Sequence, residues 1–371
     1  MRIVHLSYAH MTDFGDPELW LKQIDFFVAL LEEQAKGTMV KSIHCINYSG
    51  ILKRNGVEYH FLKRNKFQFL FPRGLHEYVD NLDPEIIIIH GLLFPWQVLW
   101  LRWKLDDQVR IVVQHHAEKP LRHYKRILQK LVDRFVSAYF FTSFEQARDW
   151  VQEKQIRKPE RIYEIMEVPS VFYPIDKQVA KAKTKVSTSK VYLWVGRFDE
   201  NKDPMTLIKA FIMFVKSNAL ASLYVVYQRN ELIEEVKKLI SGSPEVAARI
   251  TLIGKVNHDE LLYWFNSADF VISTSHYEGS GIAVCEAMSC GCIPVLTDIP
   301  SFRMMTANGK CGLLFRPGNV DDLWMALTKS DKLNIPIERE KVLHQYKENL
   351  SAEAISNKMM AVFNKIAEIK N

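Results

Sequence analysis

Two kinds of segment alternate along the chain. Short runs rich in β-branched and aromatic residues cover 3–8, 41–48, 58–63, 85–90, 110–115, 139–142 and 162–167. Between most of them lie stretches whose apolar positions recur every three or four residues, over 19–34, 75–82, 97–104, 121–135 and 144–153. These spacings predict strands and amphipathic helices in turn. The run 86–89 is apolar at every position, as a strand covered on both faces must be. Strand–helix alternation with such strands predicts an α/β protein built on a doubly wound parallel sheet.

The pattern then pauses and restarts. The stretch 177–190, KQVAKAKTKVSTSK, is lysine-rich, has no aromatic residue and reads as an exposed linker. Strand-like runs return at 191–195, 222–227, 250–253, 270–274 and 293–296. Two Rossmann-like domains follow, over 1–172 and 186–350. The tail 351–371 reads as an amphipathic helix, with Ile355, Met359, Val362, Phe363 and Ile366 on one face, able to pack on either domain. The most apolar stretch, 86–101, is broken by Gly91 and Pro95 and is short for a membrane span. The N-terminus has one basic residue and no sustained apolar core, so a signal peptide is not expected.

Composition narrows the class without naming an activity. The 371 residues are 48% hydrophobic and 25% charged, as in ordinary globular proteins. Five cysteines, an odd number in a long chain, fit reduced thiols in a cytoplasmic protein better than a disulfide framework. The formal net charge of +6 is too mild to imply nucleic acid.

Chemistry concentrates in two loops that follow strands of the second half. The first runs from Gly196 through Arg197, Asp199 and Lys202 to Pro204. Arg197 offers a planar fork for phosphate and Lys202 a flexible point charge, although a solvated turn with surface charges accounts for this loop equally well. The second runs from His276 to Gly291. Gly279 and Gly281 bracket Ser280, a candidate N-cap, ahead of an apolar helix. Free amides there make an anion site, reinforced by the helix dipole. Glu278 precedes those amides, and Glu286 lies within the apolar helix, where an unpaired carboxylate is costly. Two carboxylates beside a phosphate cradle point to sugar or ribose hydroxyls. No Walker loop, Asp-x-Asp pair or zinc-spaced cysteine set occurs, so no metal or other cofactor is expected.

Three segments in order make a family visible. VGRFDENKDPMTLIKAF at 195–211, SHYEGSGIAVCEAMSCGCIPVLTD at 275–298 and NGKCGLLFRPGNVDDL at 308–323 resemble the retaining, GT-B-fold glycosyltransferases of family 4. Glu278 and Glu286 have that family's Glu-x7-Glu spacing, and VPSVFYP at 168–174 resembles its interdomain stretch. The resemblance implies two Rossmann-like domains facing across a cleft, and transfer of a hexose-type sugar from a nucleotide-diphosphate sugar. It implies that Arg197 and Lys202 hold the diphosphate, Glu286 the ribose and Glu278 the sugar. The backbone of Gly279, Ser280, Gly281, Ile282 and Ala283 would contact sugar and phosphate. Lys255 and Val256 would lie against the base, and His115 or His116, after the fifth strand, would face the sugar. For each histidine a structural role is an equal alternative. The sequence departs from the family in having one glycine in the loop after the first strand, and Ser301 to Met305 where a glutamate is common.

Two basic clusters occupy the first half. Over 119–134, Lys119, Arg122, Lys125, Arg126, Lys130 and Arg134 face Asp133 alone. Over 53–73, Lys53, Arg54, Lys63, Arg64, Lys66 and Arg73 face Glu58 alone, interleaved with Phe61, Phe67, Phe69 and Phe71. A solvated basic face explains them, and so does peripheral docking on the inner face of an anionic membrane with a lipid-linked or glycan acceptor. The alternative functions are a nucleotide-sugar epimerase or hydrolase on the same fold and a non-catalytic glycosyltransferase-like subunit.

Overall fold

The computed structural model describes residues 1–217, 220–229 and 231–368. They form two bodies, Met1–Pro169 with the helix Ala352–Glu368, and Ser170–Ser351. Residues 369–371 of the tail helix expected over 351–371 lie outside the described residues.

The first body is built on an eight-stranded sheet. Its strands are β1 (Arg2–Met11), β2 (Met39–Ile46), β3 (Gly50–Arg54), β4 (Val57–Phe61), β5 (Ile86–His90), β6 (Arg110–Gln114), β7 (Val136–Phe141) and β8 (Ile162–Glu164). The order is β3-β4-β2-β1-β5-β6-β7-β8, parallel except for the β3–β4 hairpin. Ile3 pairs with Ile86 and Ile87 with Ile111, so the isoleucine run sits at the centre of the sheet, and each of its members is at most 1% exposed. The hydrophobic pattern does not predict β3, because its edge position leaves most of it exposed. Its signal is the turn Asn55-Gly56, with both residues at positive φ (48° and 83°), the dipeptide that two-residue hairpins favour. The helix expected over 19–34 is broken at Ile24 into Pro17–Gln23, capped by Asp16, and Asp25–Gln34. The C-terminal helix packs on Asp25–Gln34, burying Ile355, Met359, Val362, Phe363 and Ile366 in the first body.

The second body carries six parallel strands: β9 (Lys190–Arg197), β10 (Ala221–Gln228), β11 (Ile250–Gly254), β12 (Phe270–Ser273), β13 (Ile293–Thr297) and β14 (Leu313–Phe315). Their order is β11-β10-β9-β12-β13-β14. Trp194, Phe211, Phe214 and Ile272 lie in its main core cluster.

The lysine-rich stretch is not a linker. Residues Lys177–Thr184 form a helix packed on His258–Ser267. Asp176 caps it by accepting from the amides of Gln178 and Val179, Ala180 is buried, and Lys177 pairs with Asp269. Lys185, at φ 58°, ends it. Lysine and alanine are good helix formers, and lysine stems cover apolar surface while their charges stay wet. All five cysteines are buried thiols. No described helix is long and apolar enough to cross a membrane.

Each sheet has one place where strand order reverses, between β1 and β5 in the first and between β9 and β12 in the second. Loops leaving the carboxyl ends of strands diverge there, and ligands of open α/β sheets bind in the resulting crevice.

Candidate functional site

In the second body the two chemistry-bearing loops leave β9 and β12, the strands that flank the reversal. They are tied together by side chain–backbone bonds. The Asn201 side chain donates to Tyr277 O at 3.0 Å and accepts from Tyr277 N at 3.1 Å. Thr274 Oγ1 donates to Lys202 O at 2.6 Å, and Trp194 Nε1 donates to Thr274 Oγ1 at 3.1 Å from below. This frame brings Lys202 Nζ onto Glu278 Oε1, to which Ser275 Oγ also donates at 2.7 Å. Both charged side chains are largely buried, which strengthens their attraction over that of a surface pair. Arg197 stands at the end of β9, half exposed, with Nε 2.9 Å from Asp199 Oδ2.

The helix after the second loop is Ile282–Ser289, and its N-cap is Gly281, not Ser280. Gly281 takes φ 66°, and a Cβ there would lie 2.6 Å from the Phe302 ring, so the position needs glycine. Among the described residues no side chain caps this helix. Its first amides and the positive end of its dipole are thus left to receive an anion. Ser280 is buried, with Gly279 beside it, while Ile282 is exposed.

Glu286 is 4% exposed, and the partner that its burial demands comes from within the chain. His258 Nε2 lies 2.6 Å from Glu286 Oε1, and the imidazole stacks near Phe172 at 4.9 Å. Sequence reasoning missed His258. Its signal was the capping box Asn257-x-x-Glu260, which fixes His258 as the first helical residue. Lys255, after β11, lines an open hollow of about 460 Å3 with Tyr227, Gln228, Arg229 and Gly254. Val256 instead packs against the core beneath.

In the first body a hollow of about 430 Å3 opens beside the β1/β5 reversal. Its wall is apolar (Trp20, Ile24, Phe27, Leu93, Phe94) and its floor holds His90, His116, Glu118 and Glu167. The two neighbouring histidines part here. His115 is 1% exposed, stacks on Phe141 at 4.4 Å and has its Nε2 2.9 Å from Glu118 O, so the structure places it in the core. It follows the sixth strand, not the fifth, because β3 was not foreseen. His116 lines the hollow and its Nδ1 is bonded to Glu167 Oε1. The Glu118 carboxylate accepts from Leu92 N at 2.9 Å and His116 N at 2.6 Å, locking the loops after β5 and β6 together. Burial holds His115 below the ordinary histidine range. Burial opposes charge on His116 as well, but the attraction and hydrogen bond of Glu167, with Glu118 behind, outweigh it and raise its pKa.

Residues 176–349, nearly all of the second body, match the model of the family described as glycosyl transferases group 1. Over 151 residues the chain is 30% identical to the D-inositol 3-phosphate glycosyltransferase of Arthrobacter sp. (strain FB24), covering 39% of this chain and 35% of that one. Over 147 residues it is 23% identical to the GDP-mannose:cellobiosyl-diphosphopolyprenol alpha-mannosyltransferase of Xanthomonas oryzae pv. oryzae (strain PXO99A), covering 40% and 39%. The chain thus spans well under two thirds of the length of these relatives. In three dimensions it aligns with Anabaena Alr3699/HepE in complex with UDP-glucose at a TM-score of 0.71 and 14% identity, over 98% of this chain and all of that one. By fold the chain is of the GT-B class, and its second body is similar to the glycosyl transferases group 1 family over nearly its whole length.

Proposed function

We propose that this chain is a retaining glycosyltransferase of family 4, moving a hexose-type sugar from a nucleotide-diphosphate sugar to a hydroxyl of a glycan or lipid-linked acceptor without a metal ion. It would act on the cytoplasmic side, in peripheral contact with an anionic membrane through the basic clusters of the first body. The observation that carries the reading is the Lys202–Glu278 pair at the β9/β12 reversal, beside the uncapped N-terminus of Ile282–Ser289. The match to glycosyl transferases group 1 and the UDP-glucose held by a protein of the same fold support it.

In this reading the diphosphate lies against the amides of Gly281, Ile282 and Ala283. It draws Lys202 toward itself, with Arg197 on its other side. Breaking the bond between the anomeric carbon and oxygen leaves positive charge on the sugar and adds negative charge to the phosphate. The two cations and the helix dipole stabilise that developing charge. Glu278 positions the sugar, and Glu286, held by His258, accepts from the ribose hydroxyls. Gly279 and Ser280 shape the turn around the sugar, while Lys255 and Val256 border the base. The acceptor oxygen attacks on the face the phosphate leaves, and its proton passes to the departing phosphate oxygen. His116, which lines the hollow of the first body, is the histidine this reading assigns to the sugar, and His115 holds its loop from the core.

A panel of UDP-, GDP- and ADP-sugars in thermal shift, followed by transfer assays with the stabilising donor, tests this. A donor at a hundred times its Kd adds about 2.7 kcal/mol to stability. No shift with any nucleotide sugar would overturn the reading.

A further inference from the structure

Three imidazoles stand in line in the first body between two oxygen acceptors. Gln34 Oε1 lies 2.8 Å from His5 Nε2, His5 Nδ1 lies 3.1 Å from His90 Nε2, and His90 Nδ1 lies 3.1 Å from His116 Nε2. His116 Nδ1 then meets Glu167 Oε1. The amide of Gln34 is oriented by its other end, where Nε2 donates to Met359 Sδ at 3.3 Å on the C-terminal helix. All six ring nitrogens are engaged, and His5 and Gln34 are at most 2% exposed, so water does not complete the line.

Counting hydrogens decides the charge. Four contacts need four hydrogens, and neither end supplies one, since a carboxylate and an amide oxygen only accept. Three neutral imidazoles carry only three. We propose that His5, His90 and His116 share one excess proton, so that His116, the ring of the line that meets Glu167, is an imidazolium and takes part in transfer as a fixed cation, not as a general base.

The charge settles on His116 because Glu167 touches it and Glu118 lies behind its own loop. The remaining titratable groups facing the line are His90 on β5, His5 on β1 and His44 on β2, each held neutral by burial. Moving the charge to His90 or His5 needs only single hops along existing hydrogen bonds, with ring centroids 5.3 and 5.4 Å apart, but takes it away from both carboxylates. Glu167, His90, His5 and Gln34 are therefore positioning residues that act through His116. The acceptor's proton goes to the departing phosphate oxygen, and the relay neither gains nor loses one.

The functional part of this inference rests on the transferase reading, whereas the charge state is measured without substrate. Histidine-selective 15N NMR of the full chain at pH 7 should show both ring nitrogens of His116 protonated, with a pKa above that of free histidine. Gln34→Leu removes one acceptor, lets three hydrogens suffice and should lower the His116 pKa, while Gln34→Glu should raise it. Glu167→Gln should lower it by about 1–3 units. Transfer should fall as pH rises through the His116 pKa, and that fall should move to lower pH in Gln34→Leu. A His116 with one protonated nitrogen at pH 7, a pKa that neither Gln34 variant moves, or transfer that instead falls on the acid side with that pKa would sink the proposal. A chain that consumes no nucleotide sugar yet shows the expected titration would refute the transferase reading and leave the relay's charge standing.

Discussion

Lys202 and Glu278 are each unremarkable in a list of charged residues, but together they form a largely buried pair that accepts a further bond from Ser275. Removing either leaves the strand ends and the Thr274–Lys202 backbone bond in place, so folding should survive. Lys202→Ala and Glu278→Ala are each expected to keep a native circular-dichroism spectrum and to cut transfer by orders of magnitude. Full activity in either variant would remove that residue from the donor site. His258 is a different kind of residue, because its partner Glu286 is almost wholly buried. His258→Ala strips a donor from that carboxylate and is expected to cost about 1–3 kcal/mol of stability in urea titration. It should also weaken donor binding, which isothermal titration measures. At this scale the sequence singled out Glu278, Glu286, Arg197 and Lys202 as candidates through loop spacing and family resemblance. It could not expose His258, whose importance depends on a contact 28 residues away in the chain.

Elements were legible where their signal was periodic and lost where it was a single turn or cap. The buried strands stood out because both faces are covered, and the C-terminal helix because its apolar stripe repeats. The β3 hairpin was missed because its residues face water and only Asn55-Gly56 marks it. The helix Lys177–Thr184 was missed because a lysine-rich surface hides a single buried alanine and an aspartate cap. The helix Ile282–Ser289 depends on one residue at its start. Gly281→Ala places a Cβ against Phe302 at positive φ and is expected to destabilise the chain by about 1–3 kcal/mol. Adding Phe302→Leu should recover the steric part of that loss and not the backbone part. Chemical denaturation of the single and double variants separates the two, and equal stability of Gly281→Ala and wild type would contradict the geometry.

At the scale of the molecule, the last helix completes the first body rather than the second. Phe363 is fully buried there, with its ring 5.9 Å from Phe140, and Phe363→Ala is expected to cost about 3–5 kcal/mol. Calorimetry should find that loss in the transition of the first body. The same body carries His44 and His76, both held down to about 3, chiefly by burial. An unfolded chain protonates them below about pH 6.5 while the folded one does not. Stability is therefore full above that pH and declines as pH falls from about 6.5 toward 3, by up to about 1.4 kcal/mol per unit for each histidine. Urea titrations across that range should show the slope, and a flat profile would mean these rings accept protons in the folded state. By itself the sequence determined the alternation of strands and helices, the two-domain α/β class and which charged residues stand in the loops after β9 and β12. Those features are written in neighbouring residues through periodicity, turn chemistry and spacing. Only the tertiary structure decided which charges meet: Lys202 with Glu278 across 76 residues, His258 with Glu286, and the line from Gln34 to Glu167. Strand order sets those meetings, and strand order follows from how apolar faces pack over the whole sheet, which no local window contains.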